Sequence, residues 1–484
     1  MDRGLEILFY RTNVTERNIK ADSRMVSDGD VFVAIDGTVN SGHDFIREAL
    51  AKGAAGVVCE KVPLGMSDSD MEKLIIVKDA REALGQIVRH VFGEPSDYLR
   101  TFGITGTNGK TTTTFLVDRI LACHGMPSGF ISTVFNKTRG DEVTRSSLTT
   151  PDVISLNRLL NEMIDSGKKA AVIEVSSHAL SQKRLSGIDL DAAVFTNITP
   201  EHLDYHISMD NYLKEKMKIF KYLKPDGIAV VNMDTPLVTT AFNGLGPVRA
   251  KTFGVENKAD IMAENIELYP DRSRFDIVVE PIGRVNVVTR LIGRHNIYNI
   301  LAATAALSDQ DLDLALVKKA VEEMPPVPGR LDIVVSKAPF TVFVDYAHTP
   351  DALEKVIGTL KGLNKGKVYC VFGCGGNRDR AKRPLMGKIS VSMCDHTLLT
   401  NDNPREEAPH DIIMDIEKGM IGHGNYSIIM EREEAIRKAL GMAVQGDVVL
   451  IAGKGHEDYQ VIGREVRYFN DKETALKILG QMGF

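Results

Sequence analysis

Apolar positions along this chain switch between two periods. Short apolar runs of strand length alternate with stretches in which apolar residues recur at i, i+3, i+4 and i+7, one face of a helix. Residues 31–35 and 74–77 read as strands, and Leu84, Ile87, Val88 and Val91 as the buried face of a helix. Gly93-Glu94-Pro95-Ser96 then breaks the chain. Residues 102–104 close a further strand, followed by a helix from Thr111 that carries Phe115, Leu116 and Ile120. Residues 171–175 and 193–197 are strands that end in polar residues, and 275–279 with 285–288 read as an antiparallel pair. A helix over 296–307 follows. Pro325-Pro326-Val327-Pro328-Gly329 is stiff and non-helical, which suits a hinge. Strands at 341–344, 368–372 and 448–452 come next, and a last helix places Ala475, Ile478, Leu479 and Met482 on one face.

This alternation predicts an α/β protein of three domains. Residues 1–97 form a small α/β domain. Residues 98–327 form a central domain with a mostly parallel sheet flanked by helices, and residues 328–484 a Rossmann-like α/β domain. In parallel sheets ligands collect at the strand carboxyl ends. Glu174, Ser176, Ser177, His178 and Asn197 are therefore expected on the edge that carries the loop between residues 104 and 111.

That loop, Gly106-Thr107-Asn108-Gly109-Lys110-Thr111-Thr112, is a shortened phosphate-binding loop. The usual pattern is G-x-x-x-x-G-K-[ST]. Here Ile104 stands where its first Gly belongs, which points to a subset of ATP users rather than to nucleotide hydrolases in general. Gly106 and Gly109 allow the tight turn that aims N–H groups at phosphate. Lys110 is placed to neutralise phosphate charge, and the Thr111 hydroxyl to ligate Mg²⁺.

Composition narrows the field modestly. The chain has 484 residues, 43% hydrophobic and 26% charged, with a net charge of −6. Such a balance gives no overall attraction to nucleic acid, so an anionic ligand needs local donors. No apolar run is long enough to span a membrane, and the first residues show no signal-peptide pattern. Five scattered cysteines suggest reduced thiols and a cytoplasmic protein. Cys370 and Cys374 lack a second Cys/His pair at zinc spacing and read as strand-end packing. Gly373-x-Gly375-Gly376 lacks the dinucleotide spacing and carries little alone.

Three residues of the central region stand out: Glu174 after four apolar residues, His202 in TPEHLDYH, and Lys216 in a Lys-rich run. Each also has an ordinary reading, as a surface charge, a hydrogen-bonding histidine and a solvated lysine. Residue types and spacing alone lead to an ATP- and Mg²⁺-dependent enzyme and no further.

The ordered set of motifs resembles the Mur ligase family over essentially the whole chain. The set comprises Asp22-Ser23-Arg24, the TGTNGKTTT loop, Leu148-Thr149-Thr150-Pro151, Glu174-Val175-Ser176-Ser177-His178 and the HLDYH segment. It continues with Gly293-Arg294-His295-Asn296-Ile297-Tyr298-Asn299, Asp345-Tyr346-Ala347-His348-Thr349-Pro350-Asp351, Asp402-Asn403-Pro404-Arg405 and Gly453-Lys454-Gly455-His456-Glu457-Asp458. The resemblance implies that Lys216 is N-carboxylated, which requires an amine held neutral so that it can capture CO₂. It also implies that Thr111, Glu174, His202 and the Lys216 carbamate hold Mg²⁺. By the same resemblance Asn296 and Asn299 contact adenine, and Arg330 and Asp345 contact ATP. Ser23 and Arg24 match positions that meet the uridine end of a UDP-linked precursor. Thr149, Thr150, Ser176, Gln182 and Arg184 match contacts to its muramoyl dipeptide.

Family members that add meso-diaminopimelate resemble this chain in the DNPR segment, whereas those that add lysine usually lack the Arg. Diaminopimelate is lysine with an extra distal carboxylate, which Arg405 can pair bidentately. Arg378, Asp402, Asn403, Pro404, Gly453 and Glu457 match the remaining contacts. A monomer acting on small molecules is expected. Lysine addition, a folylpolyglutamate-synthase-like ligase and a non-catalytic sensor of the precursor are the competing readings.

Overall fold

The computed structural model describes residues 3–37, 40–146, 148–308 and 312–484. By compactness the chain divides into two units. The first comprises Met1–Thr105, Gly125–Val194 and Glu215–Ala229; the second comprises Gly106–His124, Phe195–Lys214 and Val230–Phe484.

In the first unit, Ile19–Lys20, Val31–Val33, Gly56–Cys59 and Leu74–Ile76 form a four-stranded parallel sheet in that order. The helix Ala80–Phe92 covers it with Leu84, Ile87 and Val88 buried, as the apolar spacing predicts. Asp79 caps its first turn by accepting from the Glu82 N–H (2.9 Å). Gly93, at a positive φ of +69° that favours glycine, ends it where the sequence breaks. The strand Arg100–Thr105 pairs in parallel with Ala170–Glu174, which pairs in turn with Ser128–Ile131. Ile104 is the partner of Glu174, so the carboxylate stands at the strand's carboxyl end.

In the second unit, Ser273–Val279 and Gly283–Thr289 form the expected antiparallel pair, with Ile277 opposite Val285. A separate six-stranded sheet of this unit has the order Asp332–Val334, Thr341–Asp345, Val448–Ala452, Val368–Phe372, His396–Leu399, Tyr426–Ile428. Only the first of these runs antiparallel to its neighbour. Side chains alternate across a strand. Val448, Leu450 and Ala452 thus enter one core with the helices Pro350–Leu363, Lys382–Met393 and Pro409–Glu417. Val449 and Ile451 enter the other, with Arg432–Met442 and Asp471–Gln481. Both faces are covered, which is why these strands are continuous apolar runs. Cys370 and Cys374 lie in the first of these cores, in the packing role expected of them. Met482 follows the last helix as its C-cap and is 38% exposed, so only Ala475, Ile478 and Leu479 of the expected face are buried.

The Pro-rich segment is anchored at its end by Gly329. Gly329, at φ +68°, accepts from the Tyr346 N–H (2.8 Å), and a Cβ there would collide with the backbone of Gly455 and His456.

One ion pair lies wholly inside the second unit. Arg432 and Asp471 are both 0% exposed at the side chain and meet at 2.7 Å. Removing one partner of such a pair strands the other charge away from water. Arg432→Met is expected to lower stability by about 3–5 kcal/mol, read as a shift in the urea unfolding of the unit that contains it. A loss well under 1 kcal/mol would show that Asp471 is neutral or hydrated in place.

Candidate active site

The phosphate-binding loop is shaped by the residues just past the strand Leu190–Phe195. Asn197 meets it as expected of a strand end. The Thr107 N–H donates to Asn197 O (2.9 Å), the Asn108 N–H to Asn197 Oδ1 (3.0 Å), and Asn197 Nδ2 to Asn108 O (3.0 Å). Gly106, at φ +143°, has no room for a Cβ beside the Thr196 hydroxyl, and Gly109, at φ +85°, has none beside Asn299 Oδ1. Gly109 is also the N-cap of the helix Lys110–Cys123, whose positive end suits an anion. Lys110 Nζ bridges the Gly106 and Thr107 carbonyls (3.1 and 2.9 Å). Thr111 and Thr112 are buried.

Several expected nucleotide residues converge on that helix. Arg330 Nη2 donates to Thr111 Oγ1 (3.3 Å), and its guanidinium lies 4.8 Å from the Tyr346 ring centroid. Asp345 is buried and accepts from the Leu331 and Ala347 N–H groups (2.6 and 2.7 Å). Burial pushes its carboxyl above the ordinary range, opposed by the Arg330 charge and those two donors. Asn299 Nδ2 donates to Asn296 Oδ1 (3.1 Å), so these two amides act as a pair beneath the loop. Asp351, which the sequence gave no role beyond its place in a motif, accepts from Asn108 Nδ2 (2.6 Å). His202 sits at φ +54° before the turn Leu203–His206, 3.8 Å from Glu201 Oε1. Glu201 is also 3.8 Å from His348 Nε2 and had no sequence signal of its own.

In the first unit Thr149, Thr150, Ser176, Gln182 and Arg184, five of the expected precursor-binding residues, join a hydrogen-bonded network next to Glu174. The carboxylate is 1% exposed and accepts from Thr133 twice, from its N–H at Oε2 and from its hydroxyl at Oε1 (both 2.9 Å). Thr133 lies outside every motif. Its hydroxyl is also 3.0 Å from that of Thr149. Thr150 Oγ1 donates to Glu174 O (2.8 Å) and accepts from the Ser176 N–H (3.0 Å). Arg184 donates to Thr150 O (2.6 Å) and to Gln182 Oε1 (3.1 Å). Ser23 is buried, while Arg24 is 84% exposed at its side chain in an ion pair with Asp22 (2.6 Å). Lys216, near the end of the helix Met209–Met217, is 1% exposed, contrary to the solvated-face reading.

A third cluster stands at the carboxyl ends of the six-stranded sheet. Asn403 Nδ2 donates to Glu457 Oε2 (2.8 Å). Lys454, fully buried, lies 3.6 Å from Glu457 and 3.3 Å from Asn403 Oδ1. Burial and then the Asp402 charge raise the Glu457 carboxyl above its usual range, against the pull of Lys454. Gly453 is at φ +110°, where a Cβ would press on Asp402 Oδ2 (2.8 Å). Arg405 Nη1 donates to Gly376 O (2.9 Å). Burial and then the charge of Arg405 hold the Arg378 guanidinium below its ordinary range. Two neighbouring guanidiniums with backbone carbonyls as partners make a site for an anion. Lys454 belongs to a motif recognised in the sequence, but nothing there marks it as buried.

Comparison with known proteins identifies the family. Residues 17–92 match the Mur ligase family catalytic domain, 104–307 the Mur ligase middle domain, and 329–455 the Mur ligase glutamate ligase domain. The UDP-N-acetylmuramoyl-L-alanyl-D-glutamate--2,6-diaminopimelate ligase of Bacillus cereus is 42% identical over 464 residues, covering 95% of this chain and 93% of that protein. A solved structure of a ligase of that name is 31% identical, with a TM-score of 0.66, covering 97% of this chain and 95% of that one. The folylpolyglutamate synthase of Mycobacterium tuberculosis, solved with ADP, shares the fold at a TM-score of 0.63 and 18% identity, over 78% of this chain and 92% of that one. The chain belongs to the Mur ligase family.

The loop geometry generates a direct test. Gly109→Ala forces a side chain into the left-handed region and against Asn299. It is expected to raise the KM for ATP by about tenfold or more, measured by ATP-dependent phosphate release. An unchanged KM would mean that the loop holds ATP in another conformation.

Proposed function

We propose that this Mur ligase uses ATP to activate the D-glutamyl γ-carboxylate of UDP-N-acetylmuramoyl-L-alanyl-D-glutamate and joins it to meso-2,6-diaminopimelate, a cytoplasmic step of peptidoglycan precursor synthesis. The observation that carries the amino-acid assignment is the cluster of Arg378 and Arg405 beside Glu457, Asn403 and buried Lys454. Diaminopimelate presents both a distal carboxylate and a distal ammonium. Arg405 suits the first and Glu457 the second. A charge-assisted hydrogen bond contributes about 1.5–3 kcal/mol, enough to distinguish diaminopimelate from lysine. Asp402, Pro404 and Gly453 shape the same pocket.

The chemistry is set by charge. A carboxylate must approach the anionic γ-phosphate, so repulsion has to be screened. Gly106, Thr107, Asn108, Gly109, Lys110, Thr111 and Thr112 cradle the phosphates. Asn296 and Asn299 hold the adenine end, and Arg330 and Asp345 the rest of the nucleotide. The γ-phosphoryl group passes to the substrate carboxylate, giving an acyl phosphate and ADP. The amine of the amino acid then attacks the activated carbonyl, and phosphate leaves. Ser23 and Arg24 bind the uridine end, and Thr149, Thr150, Ser176, Gln182 and Arg184 the muramoyl dipeptide.

Mg²⁺ fits the donors present. Among the described residues no three His, Cys, Asp or Glu side chains gather as a metal cage. Mg²⁺ takes few ligands from protein and the rest from phosphate and water. Thr111, Glu174, His202 and N-carboxylated Lys216 would hold it, and it would supply screening of the phosphate charge. Lys216 is buried, and its N-carboxylation would replace an ammonium by an anionic carbamate there.

In this reading residues 1–97 bind the UDP precursor, 98–327 bind ATP and catalyse, and 328–484 bind the amino acid. No described helix is long and apolar enough to cross a membrane, and we take the protein to be a monomer.

An amino-acid panel assayed with the UDP-dipeptide and ATP tests the assignment: phosphate release should require both substrates and be fastest with meso-diaminopimelate. Arg405→Ala is expected to raise the KM for diaminopimelate roughly ten- to a hundredfold and leave that for ATP unchanged; equal constants would remove Arg405 from the site. Lys216→Ala should abolish ligation, with partial recovery in added short carboxylates. Full activity of that variant would exclude the carbamate.

A further inference from the structure

The strands Tyr459–Ile462 and Glu465–Tyr468 form a hairpin that is a two-stranded sheet of its own. Its turn is Gly463-Arg464, with Gly463 at φ +60°, the left-handed conformation a two-residue hairpin loop requires. An isolated hairpin is marginally stable in water, so its place must come from what it docks on. The outer strand is exposed, Val466 and Tyr468 each at 67%. The inner strand turns its free edge to residues 402–405.

Four hydrogen bonds join that edge to the loop. Gln460 Nε2 donates to Asp402 O (2.8 Å), and the Val461 N–H donates to Asn403 Oδ1 (3.0 Å). The Arg405 N–H donates to Val461 O (3.0 Å), and the Gly463 N–H to Arg405 O (2.7 Å). The last two bonds flank Arg405, which sits at φ +52°, a conformation that non-glycine residues avoid unless their surroundings impose it. The hairpin imposes it from both sides of the residue. The resulting backbone direction carries the guanidinium to Gly376 O. The bond from Val461 occupies the Asn403 carbonyl and thereby turns its amide nitrogen toward Glu457. Lys454 ties the base of the hairpin down through Tyr459 O.

We propose that this hairpin positions the amino-acid-selecting loop, and that Gln460 is a positioning residue for amino-acid specificity. The inference rests on the reading of residues 402–405 as the amino-acid site. Gln460 touches no reacting atom; it acts through the Asp402 carbonyl and the loop behind it.

Three variants separate positioning from bulk stability. Gln460→Met keeps the shape and removes the donor; Gln460→Glu sets an acceptor against the Asp402 carbonyl; Gln460→Lys keeps a donor of similar reach. The expected KM for diaminopimelate rises roughly five- to tenfold in Gln460→Met and further in Gln460→Glu, and recovers in Gln460→Lys. The KM values for ATP and the UDP-dipeptide should stay unchanged in all three. An unchanged KM for diaminopimelate in Gln460→Met and Gln460→Glu would overturn the proposal. So would a parallel rise of all three KM values with a falling melting temperature, which marks a purely structural role. If the unaltered protein prefers another amino acid, the substrate reading fails, and the same series run with that amino acid still decides the role of the hairpin.

Discussion

A parallel sheet delivers all its strand carboxyl ends to one edge, and the placement of the amino-acid cluster depends on that constraint. Strands 368–372, 396–399 and 448–452 release three loops side by side, and those loops supply Arg378, Asn403, Arg405 and Glu457. Loops are the mobile part of such an arrangement, so they need fixing from below. Arg432 provides it: held by Asp471, its guanidinium also donates to Asn401 O (3.2 Å) and Ala452 O (2.9 Å). Those carbonyls precede the 402–405 and 453–457 loops directly. A single desolvated cation thus sets the spacing of two selecting segments, and its planar fork suits it to two carbonyls and a carboxylate at once.

The phosphate-binding loop follows a different rule. Its shape is imposed by close packing of backbone against backbone and amide, with Asn197 taking the N–H groups of Thr107 and Asn108. That leaves no room for side chains at Gly106 or Gly109. Arg330 reaches Thr111 and Asp351 reaches Asn108, so residues before and after the Pro-rich segment meet at the same helix end. The end of that segment is anchored through Gly329, which accepts from the Tyr346 N–H.

Much of this is legible in the sequence itself. The strand and helix periods, the two glycines of the loop, the antiparallel pair 275–279 with 285–288 and the cysteine packing all follow from local chemistry. Other residues carried no mark. Thr133 holds the Glu174 carboxylate through a contact 41 residues away in sequence, and threonine at a loop start is unremarkable. Glu201 sits between two histidines that meet only in the folded chain. Gln460 is an ordinary polar residue of an edge strand until its partner, Asp402, is seen.

The division has a physical reason. Periodicity, turn chemistry and the run of glycines around Lys110 are local properties, so the amino-acid order alone determined the α/β class, the loop and the candidate charges. Burial and partner choice are set by contacts distant in sequence. Only the tertiary structure decided that Lys216 and Lys454 lie away from water, that Arg432 clamps two loops, and that Arg405 is held in the left-handed region by a hairpin more than fifty residues downstream.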